Sequence, residues 1–217
     1  MTNLPQPATA RGEATRRKLL AAAELEFGEK GFYASSVSSI TKRAGVGQGT
    51  FYLYFPSKED TLRELVRHMG RELRYTLAEA AKNARDRLEA EHLGFRAFVR
   101  FSLEKGNLYR IVMQSQFVDE SIYREYYQTL VSAYASGLRK AQSEQQIRPG
   151  DAETQAWALM GVAHFLGLRY PIWRGCEPPE AVMQDTFNFI ARGLSGGYSS
   201  LLETAPLAKP CQPEESS

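Results

Sequence analysis

Apolar residues recur along this chain at steps of three and four, the period of a helix rather than a strand. Leu20, Ala23 and Phe27 form one such stripe and predict a first helix from about Thr15 to Lys30, ended by Gly31. Ser36 can cap a second helix, because its hydroxyl accepts an orphan N–H of the first turn; this helix runs to Ala44, and Gly45 tolerates the left-handed backbone that closes it. A third runs from about Gln48 to Phe55. Pro56 stops it, and Ser57 opens a fourth with Glu59 and Asp60 in the first turn, where acids complement the helix dipole. Val37, Ile40, Ala44, Val46, Phe51 and Phe55 supply the rest of a small three-helix core.

The fourth helix continues without proline to about Arg87, carrying Leu62, Leu65, Met69, Leu73 and Leu77 on one stripe. At 1.5 Å per residue it is roughly 40 Å long, more than the small head can use, so it must reach into whatever lies behind. Further helices are expected at about Glu89 to Glu104, Leu108 to Phe117, Glu120 to Glu144, Ala152 to Trp173 and Pro179 to Leu202, with Gly106, Asn107, Pro149, Gly150, Pro178 and Pro179 as punctuation. No alternating pattern and no internal repeat competes. The expected fold is all-α. A three-helix helix-turn-helix domain (13–57) would follow a disordered arm (1–12) and precede a helical domain (58–202) and a disordered tail (203–217).

At 100° per residue, Phe51 and Phe55 share one face of the third helix, while Gly49 and Leu53 lie opposite, flanked by Thr50 and Tyr52. An outward face of Gly, Thr, Tyr and Leu without charge suits close approach to the base edges of DNA. Cations surround it: Arg16, Arg17 and Lys18 crowd the start of the first helix and Lys58 the start of the fourth, where the dipole disfavours positive charge unless an external phosphate is present. Charge distribution agrees. Residues 1–75 hold 12 Lys/Arg and 8 Asp/Glu, a net of +4, whereas 76–217 hold 15 and 17, a net of −2. Only the head is expected to meet a polyanion.

An apolar content of 43% and a charged content of 24% are ordinary for a soluble globular protein. Cys176 and Cys211 lack metal-ligand spacing, so neither a metal site nor a disulfide framework is expected. The N-terminus lacks the apolar core of a signal peptide, and the longest apolar run, near Trp157 to Leu168, is too short to span a bilayer. The expected compartment is the cytoplasm.

The run AGVGQGTFYLYFPSKEDTL resembles the signature of the TetR family of bacterial transcriptional repressors, typically written AGVSKGTLYYHFPSKEAL. The preceding RRKLLAAAELEFGEKGFYASSVSSI is similar to that family's first helix and the entry to its second, so the resemblance covers about Thr15 to Leu65. Gly47 stands where serine usually caps the recognition helix, and Gln48 where lysine is common. The resemblance implies that Gln48, Gly49, Thr50, Tyr52 and Leu53 meet groove and base edges, and that Ser36, Ser38, Tyr54, Lys58 and the Arg16, Arg17, Lys18 cluster hold phosphates. It also implies a homodimer through the last two helices, in which small residues (Ala156, Gly161, Ala163, Gly167, Ala191, Gly193) alternate with large apolar ones. Such a dimer reads a near-palindromic double-stranded operator, its fourth helix serving as the lever between ligand and DNA.

Phe98, Phe101, Tyr109, Met113, Phe117, Tyr123, Tyr126, Tyr127, Trp157, Met160, His164 and Phe165 form an aromatic-rich set around Arg110 and Arg169. Buried phenols and indoles need polar partners, which is typical of an amphipathic pocket for a small-molecule effector. NLYRIVMQSQFVDESIYREYY and ALMGVAHFLGLRYPIW are similar to the ligand domains of TetR members that respond to acyl-CoA thioesters. That resemblance implies an acyl or aryl group among the aromatics and phosphates on the two arginines. The rival readings are thinner. Glu89-x-x-His92 echoes a di-iron ligand pair but has no second copy, and Gly45-x-Gly47-x-Gly49 has neither the spacing nor the preceding strand of a phosphate loop. An enzyme is not expected, and no cofactor is. An architectural DNA binder or activator without an effector would share the head and need no pocket.

Overall fold

The computed structural model describes residues 9–196. Three helices, α1 (Ala10–Lys30), α2 (Val37–Ala44) and α3 (Gln48–Tyr52), form the head. Helix α1 begins earlier than the apolar stripe predicts, because the Thr9 hydroxyl accepts the Gly12 amide at 3.1 Å and caps it there. Residues 10–12, expected in a disordered arm, are therefore helical, and 1–8 lie outside the described residues. The early start also moves Arg16, Arg17 and Lys18 out of the first turn, which removes the dipole argument for placing phosphate there. The inner stripe is Leu19, Ala23 and Phe27, all fully buried, with Leu20 beside it half-buried.

Helix α2 starts and stops where its residues say it should. Ser36 and Ser39 cap each other reciprocally, and Gly45 takes the left-handed conformation (φ 68°, ψ 35°). Helix α3 opens at Gly47 without a side-chain cap and ends at Tyr52, earlier than the expected Phe55. The Phe55 amide still reaches the Phe51 carbonyl at 3.0 Å, so one further turn carries Phe55 into the core.

Ser57 caps α4 (Lys58–Ala81) by accepting the Asp60 amide. This helix stops short of Arg87, because the Asp86 carboxylate takes the Glu89 amide at 2.8 Å and starts α5 (Arg87–Glu104). Then follow α6 (Gly106–Val118), α7 (Glu120–Ser143), α8 (Ala152–Gly167), a π-helical turn (Leu168–Ile172) and α9 (Glu180–Ser195). Gly106 and Asn107, expected as a break, lie inside α6; the break is at Lys105. The π turn holds Pro171, whose missing N–H the wider backbone accommodates. Helix α9 ends at Gly196 (φ 86°) rather than Leu202; 197–202, the 203–217 tail and Cys211 lie outside the described residues.

Head and body share one core. Leu19, Phe27, Phe51 and Phe55 continue through Leu62, Leu65 and Met69 of α4 into Leu108, Ile111 and Tyr126. A second cluster joins α7, α8 and α9 through Leu138, Ala156, Ile190 and Leu194. Where α1 meets α6 the fit is tight: a Cβ on Gly28 would lie 2.4 Å from the Asn107 side chain, so glycine is what lets the two helices approach.

Candidate functional site

Two regions have the make-up of sites, and two helices join them. In the head, Phe51 and Phe55 are fully buried and in contact (ring centroids 5.7 Å), which fixes the roll of α3. That roll turns Tyr52 and Leu53 out, 56% and 69% exposed, beside exposed Gln48 and Gly49 and half-exposed Thr50. No atom lies within 4 Å of a Cβ built on Gly49. The outward face is thus uncharged, open and held by a rigid anchor.

The cations expected around it divide. Arg17 and Lys18 are exposed, as are Ser36 and Ser38, and Tyr54 is half-buried. Arg16 is not available to an external phosphate: it is 8% exposed, pairs with Glu64 at 3.4 Å and stacks its guanidinium 5.4 Å from the Phe55 ring centroid. Lys58 is likewise turned inward, its ammonium donating to the carbonyls of Phe32 and Ser35, both at 2.8 Å, and lying over the Phe32 ring. Both were expected on phosphates, and both fasten α4 to the head. Inside the head, the buried Glu26 carboxylate accepts Lys30 and Arg43. Its pKa is lowered to about 2, first by the Lys30 hydrogen bond and then by Ser39 and Arg43, against the opposing effect of burial. Lys42 is exposed and has no ion pair among the described residues; the sequence reading passed over it.

Helix α6 grips the head at its far end. Gln114 accepts the Phe32 amide at 2.7 Å and donates to the Phe27 carbonyl at 3.3 Å, while the Tyr33 hydroxyl donates to the Phe117 carbonyl. The next residue after α6, Asp119, takes Arg63 of α4. Burial pushes its carboxyl up, but hydrogen bonds from Ser121, Arg63 and the Ile122 amide outweigh this and hold it near about 2.

Behind the head lies a cavity of about 450 Å³, within the range of small-molecule sites. Its walls come from α4 to α9. Seven of the expected effector residues line it: Phe98, Tyr109, Met113, Tyr126, Tyr127, Met160 and His164. The Tyr109 hydroxyl lies 3.0 Å from His164 Nδ1 and donates to the His164 carbonyl at 2.9 Å, closing the wall between α6 and α8. Burial pushes the Tyr109 phenol up and the His164 imidazole down, so His164 is neutral and the phenol holds its proton.

The other seven lie elsewhere. Phe101 is buried in the shared core, Tyr123 packs edge-on to Tyr127 behind the wall, and Trp157 stacks on Tyr127 from outside while 44% exposed. Phe117 and Phe165 are 74% and 69% exposed. Arg110 and Arg169 are exposed on the outside of their helices, Arg169 over the Tyr170 ring. The cavity's arginines are Arg74 and Arg87, neither of which the sequence reading singled out, joined by Leu73, Leu77, Glu91, Phe95 and Tyr134. Arg87 is consumed locally: it bonds Glu91 at 2.7 Å and covers the Tyr134 ring, whose hydroxyl donates to the other Glu91 oxygen. Glu89 is held by Arg85, and His92 meets the Phe187 ring edge-on, so the pair that echoes a di-iron motif is not assembled. Among the described residues no group of three His, Cys, Asp or Glu could hold a metal, and no helix is long and apolar enough to cross a membrane.

Residues 19–65 match the family model described as bacterial regulatory proteins, tetR family. The helix-turn-helix regulator YdgC of Bacillus subtilis is 26% identical over 189 residues, 85% of this chain and 95% of that protein. The fatty acid metabolism regulator protein of the same organism is 48% identical over 48 residues, 22% of this chain and 25% of that one. In three dimensions the chain is similar to FadR of Bacillus subtilis, solved in complex with stearoyl-CoA (TM-score 0.71, 22% identity, 82% of this chain and 98% of that one), and to FadR of Bacillus halodurans (TM-score 0.73, 19% identity, 87% and 98%). Residues 19–65 thus match the DNA-binding head of the tetR family of bacterial regulatory proteins, and most of the described chain shares the fold of TetR-family structures.

Proposed function

We propose that the protein is a homodimeric repressor that reads a near-palindromic operator and releases it when an amphipathic acyl or aryl effector fills the cavity. The observation that carries this reading is that α4 and α6 each touch both sites. Helix α4 holds Lys58 and Leu62 against the head and Met69 to Ala81 along the cavity; α6 holds Gln114 against the head and Tyr109, Val112 and Met113 in the wall. A ligand that prefers one tilt of these helices shifts the population of head spacings, with coupling of about 1–3 kcal/mol typical of such systems.

On DNA, Gln48, Gly49, Thr50, Tyr52 and Leu53 enter the major groove, while Ser36, Ser38, Tyr54, Arg17 and Lys18 set register on phosphates. Two heads fit recognition helices about 34–36 Å apart, one turn of the duplex, or a multiple of it. A dimer through α8 and α9 is supported by their outer faces. Trp157, Gly161 and Phe165 follow at four-residue steps on α8, and Phe189 and Gly193 on α9; the aromatics are exposed, and a Cβ on either glycine meets nothing within 4 Å. Bulky residues beside bare backbone are what a close-packed helical interface needs.

For the effector, the resemblance to acyl-CoA-responsive members and the similarity to the FadR structure holding stearoyl-CoA support an acyl group among the cavity aromatics. The coenzyme A portion would then lie beyond a cavity of this size. Footprinting of the protein's own promoter, followed by gel-shift titration with acyl-CoAs and the corresponding acids, tests the proposal. Protection of a two-fold symmetric site that is lost on adding a ligand is expected; protection that no acyl or aryl compound changes would favour an architectural binder or an activator without an effector.

A further inference from the structure

Three charged side chains line the cavity, and they do not cancel. Arg87 and Glu91 neutralise each other, and His164 is neutral, which leaves Arg74 with a charge that no described residue balances. Arg74 makes no hydrogen bond or ion pair among the described residues. Its place in the wall is built. Gly70, one turn earlier on α4, has no side chain, and Arg74 Nη1 lies 3.2 Å from where a Cβ would be, with the Tyr126 ring 3.3 Å from the same point. The guanidinium thus folds onto bare backbone beside Tyr126, at a glycine that weakens the interior of a 24-residue helix. Tyr126 is over nine-tenths buried, and its hydroxyl has no hydrogen-bond partner among the described residues. Desolvation pushes its phenol up, so it stands ready as a donor.

We infer that the cavity is a site for a monoanion, specifically a carboxylate on an aliphatic or aryl body, whose two oxygens accept from Arg74 and Tyr126 while the body lies among Leu73, Phe98, Met113 and Met160. The chemistry is direct. A guanidinium fork matches a carboxylate bidentately, and a half-buried cation against apolar walls gains from a joining anion more than an exposed one does. A single surplus positive charge matches a single negative one. A thioester is uncharged at its carbonyl and would leave the cation unbalanced.

This inference rests on the reading of the cavity as the effector site, and the test separates the two. Decanoate, methyl decanoate and decanoyl-CoA are titrated calorimetrically into the full-length dimer and into Arg74→Met and Arg74→Lys, with operator release followed in parallel. Decanoate is expected to bind the wild type at least tenfold more tightly than its methyl ester, and Arg74→Met to lose about ten- to a hundredfold in decanoate affinity, the range of one charged hydrogen-bonded pair. The ester should bind both forms alike, and Arg74→Lys should recover part of the loss. Equal binding of acid and ester, decanoate affinity unchanged in Arg74→Met, or tight binding of decanoyl-CoA with none of the acid would each overturn the inference while leaving effector control intact. If no probe binds or releases the operator, the proposed effector control fails as well. Should Arg74→Met fail to fold, the acid-against-ester comparison in the wild type decides.

Discussion

The head and the cavity use charge in opposite ways. In the head, Glu26, Arg16, Arg43 and Lys58 are all engaged by internal partners, and the outward face of α3 is uncharged, with the exposed Arg17, Lys18 and Lys42 around it. In the body the walls are mostly apolar, and the polar groups left without partners are the half-buried Arg74 at the cavity wall and the hydroxyl of buried Tyr126. A groove reader needs a stiff platform whose own charges cannot compete with the phosphates. A sensor needs an unsatisfied group that only the ligand can satisfy.

The sharpest way to break this contrast is to remove the platform. Phe51→Ala empties a fully buried site and is expected to cost about 3–5 kcal/mol, read as a lower melting temperature by circular dichroism together with loss of duplex binding. Tyr52→Ala should leave melting unchanged and weaken operator binding by about 1–3 kcal/mol, ten- to a hundredfold in a gel shift. Lys58→Met should do the reverse, lowering the melting temperature while leaving the salt dependence of operator binding unaltered, because its ammonium serves Phe32 and Ser35 rather than DNA. A change in salt slope by about one would restore Lys58 to the phosphate contacts.

Acid probes the head's internal charges. The Glu26 carboxyl falls from its ordinary 4.5 to about 2 in the folded state, so its stabilisation is complete above pH 4.5 and is lost as the pH drops toward 2. Melting temperature should fall through that window, by about 2–4 °C per kcal/mol lost in a protein of this size, and Glu26→Gln should flatten the dependence. Gln114→Leu is expected to reduce ligand-dependent operator release by about 0.5–2 kcal/mol with ligand affinity intact, since it cuts the α6 grip on Phe32 and Phe27. The smallest effect is expected at Arg110→Ala and Arg169→Ala: neither lines the cavity, and calorimetric affinity for any acyl probe should stay within about twofold.

Much of the head was legible in the sequence because its instructions are local. Ser36, Gly45, Pro56 and Ser57 each act within a turn of themselves, and the phase of Phe51 against Phe55 fixes which side of α3 faces out. Where the reading failed, the deciding partner was distant or the cap was passed over. Arg16 and Lys58 look like free cations until Glu64 and the Phe32 carbonyl are folded beside them. Asp86 with Glu89 three residues on is a local helix start, masked in the sequence by the proline-free helical pattern that runs through it. The cavity was half legible: an aromatic count finds its material, but six helices meet there and only their mutual rotation tells lining from backing. Arg110 follows Tyr109 by one residue and faces the opposite way, whereas Arg74 follows Leu73 and stays in the wall.

The close approach of Gly28 to Asn107 bears on how such regulators can be rebuilt. A chimera cut after Ser57 and fused to a foreign sensor would strip the DNA-reading unit of the carboxamide that receives the Phe32 amide, and would press an unfamiliar side chain onto a helix that leaves no room for a methyl group. Portability therefore requires transplanting α6's contact surface, from Asn107 through Gln114, along with the reader, or resculpting the recipient to present an equivalent of those two residues.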